Sequence, residues 1–180
     1  MDGPVEADTR ALADDVAGLL EARAVPVARV SAGDFLRGRS VRLEYGRDDP
    51  EAMYRLWYDT DALRREVLDP FEPGGRGTWL PRLRDPETDR AYRENLRDVV
   101  PGAVVVLDGR FLLRDDVRWS LDLTVHLDVS AAARARRVPA EEAARLLPAW
   151  ERYLDDVEPA ARADLTVRFD HPDRPALRER

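Results

Sequence analysis

Apolar positions recur at helical spacing near the start of the chain and in short unbroken runs toward its end. Leu12, Val16, Leu19 and Leu20 mark one face of a segment running from near Thr9 to about Arg23, which predicts a first amphipathic helix. A short strand is expected from Val25 to Val30, closed by the turn-forming stretch Ser31 to Asp34. Residues 37–60 carry no clean period and read as a long functional loop, rich in charge and in aromatics, with Tyr54, Trp57 and Tyr58 close together. Asp61 to Leu68 predicts a short helix stopped by Asp69 and Pro70. Thr78 to Arg84 and the residues after Thr88 are expected to pair as a small hairpin.

The second half alternates more plainly. Ala103 to Asp108 is a continuous apolar run ending in a carboxylate, the pattern of a strand buried on both faces of a parallel sheet. Further strands are expected from Leu121 to Leu127 and from Ala163 to Phe169. Helices from about Ser130 to Arg137 and from Ala140 to Val157 separate them. Strands alternating with helices predict a layered α/β domain with a mainly parallel sheet, and residues 170–180 read as a polar tail. At 180 residues the chain is the length of one ordinary domain, and it is read as a single one.

Composition narrows the function classes. Cysteine is absent, which excludes disulfides, thiol nucleophiles and cysteine-ligated zinc and makes the cytoplasm the expected address. No run of about 20 apolar residues occurs, so neither export nor a membrane span is expected. A net charge of −7 argues against nucleic acid as a partner, because phosphate backbones require a concentrated basic face. All 29 basic side chains are arginine. Lysine and isoleucine are both missing, a bias that a GC-rich genome would produce, so the absence of lysine bears on mechanism at one position only.

That position lies just before the first helix. A phosphate-binding loop reads G-x-x-x-x-G-K-[ST]: backbone amides and the helix N-terminus cradle phosphates, lysine reaches the terminal ones and the hydroxyl holds magnesium. Gly3 opens this pattern correctly. Asp8 then stands in the second glycine slot, Thr9 in the lysine slot and Arg10 in the hydroxyl slot. Taken alone, one retained glycine is a chance event, and Asp8 or Thr9 is simply a good helix cap.

Other motifs follow in fixed order: residues 30–35 with Arg37 and Arg39, residues 46–50, residues 58–63, residues 68–70, residues 106–109, residues 127–129 and residues 163–164. This series, from about Asp2 to Pro175, resembles the uridine kinase family of P-loop phosphotransferases, particularly its short bacterial forms. The resemblance implies a three-layer P-loop NTPase-like fold with a five-stranded parallel core. It also implies ATP and magnesium as cofactors, and transfer of the γ-phosphoryl group to the 5′-hydroxyl of a pyrimidine nucleoside. Met1 stands where the family's first strand is already ending, so the central strand is expected to be missing or truncated, the start to be wrong, or the sheet to be rearranged.

The resemblance assigns roles unevenly. Gly33 occupies the slot of the family's catalytic base, leaving the adjacent Asp34 as the candidate, with a turn-capping aspartate as the alternative. Asp59 resembles the carboxylate that binds ribose hydroxyls, and the alternative is an N-cap for the helix starting near Asp61. Tyr58 and Arg37 accompany it as candidate substrate contacts, and Gly3, Thr9 and Arg10 as candidate contacts to the nucleotide. Asp108 matches the acidic strand-end residue that holds magnesium through water. Arg137 lies where the family begins its mobile arginine-bearing lid, but the segment from there to Tyr153 is shortened. The lid is alternatively an ordinary helix decorated by Glu141, Glu142, Arg145 and Arg152. Base-contacting side chains of the family are replaced near Arg84 and Pro86. His126 reads as a strand residue, and His126 and His171 are too far apart in sequence to suggest a metal pair.

A carboxylate at Asp8 about 4 Å from a phosphate charge costs on the order of 4 kcal/mol at an effective dielectric of 20, close to about three decades of affinity. Two functions therefore stand: a nucleoside kinase working through Asp34, Asp108, Asp59, Arg10 and Arg137, or a degenerate member that has lost phosphoryl transfer and binds a nucleoside, a nucleotide or a protein partner.

Overall fold

The computed structural model describes residues 1–171 and 174–178. Helix α1 (Thr9–Glu21) leads into strand β1 (Val27–Ser31), and α1 lies over β1 and over β4 (Val104–Asp108). Strands β1 and β4 pair in parallel, with Ser31 opposite Asp108. Strand β5 (Val125–Asp128) pairs in parallel with β6 (Leu165–Arg168). Between these two pairs the chain supplies only residues 1–3. Asp2 bridges Gly109 on one side and His126 on the other, both in parallel sense. The Met1 nitrogen donates to Leu107 O (2.5 Å), Asp2 N to Val125 O (2.8 Å), and Leu127 N to Asp2 O (2.8 Å). Residues 1–3, a stub in the place of the expected central strand, stitch the carboxyl ends of β4 and β5 into one layer. The order is β1, β4, stub, β5, β6.

Several segments differ from the sequence expectation. Residues 37–60, read as a loop, contain α2 (Arg39–Arg42) and α3 (Pro50–Arg55). At four and six residues these helices are too short to show a period, and α3 is fixed by the Asp49 cap and by Pro50 in its first turn. Helix α4 (Thr60–Leu63) runs on into a π-helical turn, Arg64–Leu68. The hairpin is formed by β2 (Thr78–Trp79) and β3 (Arg97–Asp98). Within the expected polar tail, β7 (Ala176–Arg178) pairs antiparallel with β6, because an edge strand needs only backbone donors and acceptors and no apolar pattern. Residues 172–173 and 179–180 of that tail lie outside the described residues. Helices α5 (Asp115–Arg118), α6 (Ala131–Arg137), α7 (Ala140–Val157) and α8 (Pro159–Arg162) complete the chain. No helix among the described residues is long and apolar enough to cross a membrane.

An aromatic cluster packs beneath the strand ends. The Phe111 ring lies 5.2–5.6 Å from Tyr54, Trp150 and Tyr153 (centroid to centroid), and 6.1 Å from Tyr58. Phe111 itself adopts φ +64°, a left-handed conformation that a bulky side chain enters at a cost of about 1–2 kcal/mol. The two amides that follow are buried and satisfied by side chains: Leu112 N donates to Asp2 Oδ1 (3.0 Å) and Leu113 N to Tyr153 Oη (3.1 Å). Tyr153 in turn donates to Asp2 Oδ2 (2.9 Å), as does His126 Nδ1 (2.7 Å). Asp2, His126 and Tyr153 are all at most 1 % exposed. Burial, reinforced by the Asp2 charge, holds the Tyr153 hydroxyl well above the usual tyrosine range, so it remains a donor.

Replacing Tyr153 by Phe removes one donor to a buried carboxylate and orphans the Leu113 amide. The variant is expected to lose about 1–3 kcal/mol in urea unfolding. A loss below about 0.5 kcal/mol would mean that the network is not holding the turn.

Candidate functional site

The candidate residues converge where β1, β4 and the stub end. After Gly3, Pro4 opens a 3-10 turn, Val5–Ala7, in which Ala7 N donates to Pro4 O (3.0 Å) and Asp8 N to Val5 O (3.4 Å). Asp8 takes φ +46° and caps α1, its Oδ1 accepting from Ala11 N (3.2 Å). Two amides of the loop, those of Ala7 and Asp8, are thereby spent within it. A Cβ on Gly3 would lie 2.9 Å from Thr9 Cγ2 and 3.1 Å from Leu127 Cβ, so glycine is required there by packing.

The Thr9 hydroxyl points back at the end of β4, 3.4 Å from Asp108 Oδ2, and the Ser31 hydroxyl is 3.3 Å from the same oxygen. The other oxygen, Oδ1, faces Arg29 Nη1 at 2.7 Å. That contact is off-axis and acts as a charge pair; Oδ1 has no aligned hydrogen bond. The Arg29 guanidinium has four other partners, one of them Val106 O, 3.4 Å from Nη1. Its Nε donates to Asp14 Oδ1 (2.7 Å), Nη1 to Val30 O (2.5 Å) and Nη2 to Arg10 O (3.2 Å).

Asp34 follows β1 in a 3-10 turn, Ala32–Asp34. The turn is capped by Ser31, whose Oγ accepts from Gly33 N (3.4 Å), so the Asp34 carboxylate is left to face Arg10 Nη2 at 3.7 Å. Burial is the leading influence on Asp34 and raises its pKa, while Arg10 and then Arg82 pull it back. Asp59 caps α4, accepting from Ala62 N (3.0 Å). Arg37 donates through Nε to Tyr58 O (3.3 Å) and lies 3.9 Å from Asp61. The Tyr58 hydroxyl accepts from Arg110 Nε (2.7 Å).

Tyr58, Asp59, Arg110 and Phe111 line a cleft of 10 Å³, room for one water. A nucleoside would enter only by displacing side chains. A larger hollow of 460 Å³ lies between α8 and β7 and contains none of the candidate residues. Arg137 is separate from the strand-end group, donating to Phe169 O (3.2 Å) and to Asp170 O at the far end of β6. The structure thus gathers Gly3, Thr9, Arg10, Asp34 and Asp108 at one point, places Arg37, Tyr58 and Asp59 beside it, and leaves Arg137 tied to β6.

Sequence reasoning did not single out Arg29, Ser31 or Arg110. Arg29 had one signal, a charge alternating with the buried Ala28 and Val30 of an apolar strand; Arg110 had its place directly after Asp108 and Gly109.

The architecture defines an α/β protein with the fold of the P-loop kinases. A solved structure described as a possible uridine kinase from Bacillus stearothermophilus superposes with a TM-score of 0.75, at 22% identity, over 92% of this chain and 84% of the other. A protein assigned as a fructose transport system kinase from Silicibacter sp. TM1040 gives a TM-score of 0.53 at 19% identity, over 91% of this chain and 78% of the other. No protein-family model matches the chain, and none of the curated proteins matches it in sequence. At these identities the likeness is one of fold.

Two expectations follow from the geometry. Asp8→Gly is expected to change stability by only about a few tenths of a kcal/mol in urea unfolding, since glycine adopts the left-handed cap freely; Asp8→Ala loses the cap and keeps the strain, for about 1–2 kcal/mol. Arg10→Ala is expected to raise the Asp34 pKa further, as read from the carboxyl carbon by NMR, since Arg10 is the strongest influence lowering it. An unchanged titration would dissolve the Arg10–Asp34 pair.

Proposed function

We propose that this chain is a P-loop kinase-fold protein that has lost phosphoryl transfer and keeps its acceptor side as a binding site for a nucleoside-like molecule. The observation that carries the proposal is that the candidate groups are paired within the protein: Arg10, the candidate phosphate contact, with Asp34, the candidate base, and Asp108, the candidate metal ligand, with Arg29. ATP, implied by the family resemblance, does not fit the loop, where the Ala7 and Asp8 amides are spent internally and the Asp8 carboxylate repels phosphate. Magnesium does not fit at Asp108, where a guanidinium already lies 2.7 Å from Oδ1. No reaction step is therefore built on either.

The acceptor side keeps a different character. Tyr58, Asp59 and Arg110 offer an aromatic face, a carboxylate and a cation around one cleft, groups suited to a planar base and to sugar hydroxyls. A pyrimidine nucleoside is the first ligand to try, because the structural neighbour with TM-score 0.75 is described as a possible uridine kinase.

Isothermal titration with uridine, with and without Mg-ATP, tests the proposal beside an assay for UMP. The expected result is heat from uridine that Mg-ATP leaves unchanged, and no UMP. ATP-dependent UMP that disappears in Asp34→Asn would restore the kinase. Silence toward uridine and other nucleosides would remove the acceptor half.

A further inference from the structure

The strand-end centre has the donor set of a hard divalent cation: the Asp108 carboxylate, 4 % exposed, with the hydroxyls of Thr9 and Ser31 at 3.4 and 3.3 Å. It also already contains a positive charge. Strand β1 alternates, so Arg29 and Ser31 share one face, and the parallel register sets Ser31 opposite Asp108 and Arg29 opposite Val106. An arginine two residues before the strand end therefore lies along β4 and delivers Nη1 to Asp108 Oδ1 at 2.7 Å. It is not free to swing away. Its remaining nitrogens and the rest of Nη1 are held by Asp14, by Val30 O and by Arg10 O. A metal ion at Asp108 would have to displace the guanidinium from these partners or sit beside a like charge.

We infer that Arg29 is a built-in cation that takes the place of a divalent metal at Asp108, making the centre metal-independent. The guanidinium is shared between the buried Asp108 carboxylate and Asp14 on α1. The same contacts lock the first turn of α1 to the end of β4. This inference does not depend on whether a nucleoside binds; it would stand if the acceptor reading fell.

Mn²⁺ alone is the probe, with the free ion followed by electron paramagnetic resonance in titrations of the full chain. Wild type and Asp108→Asn are expected to bind Mn²⁺ indistinguishably, through weak surface carboxylates only. Arg29→Met is expected to acquire one additional site, about tenfold tighter or better, that is lost again in the Arg29→Met/Asp108→Asn double variant. A one-equivalent site in wild type that Asp108→Asn abolishes would overturn the inference, as would a folded Arg29→Met that gains nothing. Because Arg29→Met leaves Asp108 buried without its partner and risks unfolding, the melting temperature of wild type is measured as well, in millimolar MgCl₂ against NaCl of equal ionic strength. Equal values are expected; a magnesium-specific rise that Asp108→Asn removes would overturn the inference.

Discussion

The Asp2 carboxylate sits at the one place where the sheet could come apart. Only residues 1–3 lie between β4 and β5, and so short a stub brings few backbone bonds to the join. Its side chain adds what the backbone cannot. Oδ1 accepts the Leu112 amide just beyond β4, and Oδ2 receives His126 on β5 and Tyr153 on α7. Three elements meet on one buried charge, which is tolerable because each of its partners is a donor. Trp150 lies nearly parallel to the His126 ring, 6.2 Å away, and helps enclose the group. Phe111 can hold its left-handed conformation because the amides after it are caught by Asp2 and Tyr153. The position of Arg110 beside Tyr58, and so the cleft wall, follows from that turn.

Charge pairing at the strand ends has a different consequence. In a phosphotransferase, cations and carboxylates there must stay available for ligands, so they are left incompletely satisfied by the protein. Here each faces a partner from within. Arg10 meets Asp34, Arg29 meets Asp108, and the Asp8 carboxylate takes an amide of α1. A chain whose only basic side chain is arginine favours this outcome, since a planar fork with five donors can satisfy several carbonyls and a carboxylate at once where an ammonium cannot. Arg29 illustrates it, with carboxylates of β4 and α1 and three backbone carbonyls around one guanidinium.

Much of the fold was legible where the chain repeats a period. The face of α1 and the apolar run of β4 fell within two residues of their expected bounds, and α7 on them, because each buries a continuous face and its sequence must show it. The stub was not legible, since three residues carry no period and its partners are remote in sequence. Helices α2 and α3 failed for the same reason of length. At the site, the strand-end position of Asp108 could be read from a carboxylate closing an apolar run. Its partners could not: Ser31 is 77 residues away, and only the parallel register of β1 and β4 brings it and Arg29 alongside. Asp59 shows the opposite limit. Its cap was as readable as its possible contact with ribose, and the cap is what the structure contains, yet capping with one oxygen leaves the other for a ligand.

The likeness of fold at 22% identity and the altered centre are compatible because they rest on different residues. Superposition depends on strands, on α1 and on the turn that Asp2 and Tyr153 secure. Phosphate chemistry depends on a few side chains on the surface of that frame. Asp8 makes a capped helix start, the Thr9 methyl lies beside Gly3, and Arg29 ties α1 to β4. Each of these side chains serves packing or capping, and each is spent on a partner within the protein. A frame of this kind can stay intact while a few side chains decide what it binds, so the shape of this protein says less about its ligand than the pairing of its charges does.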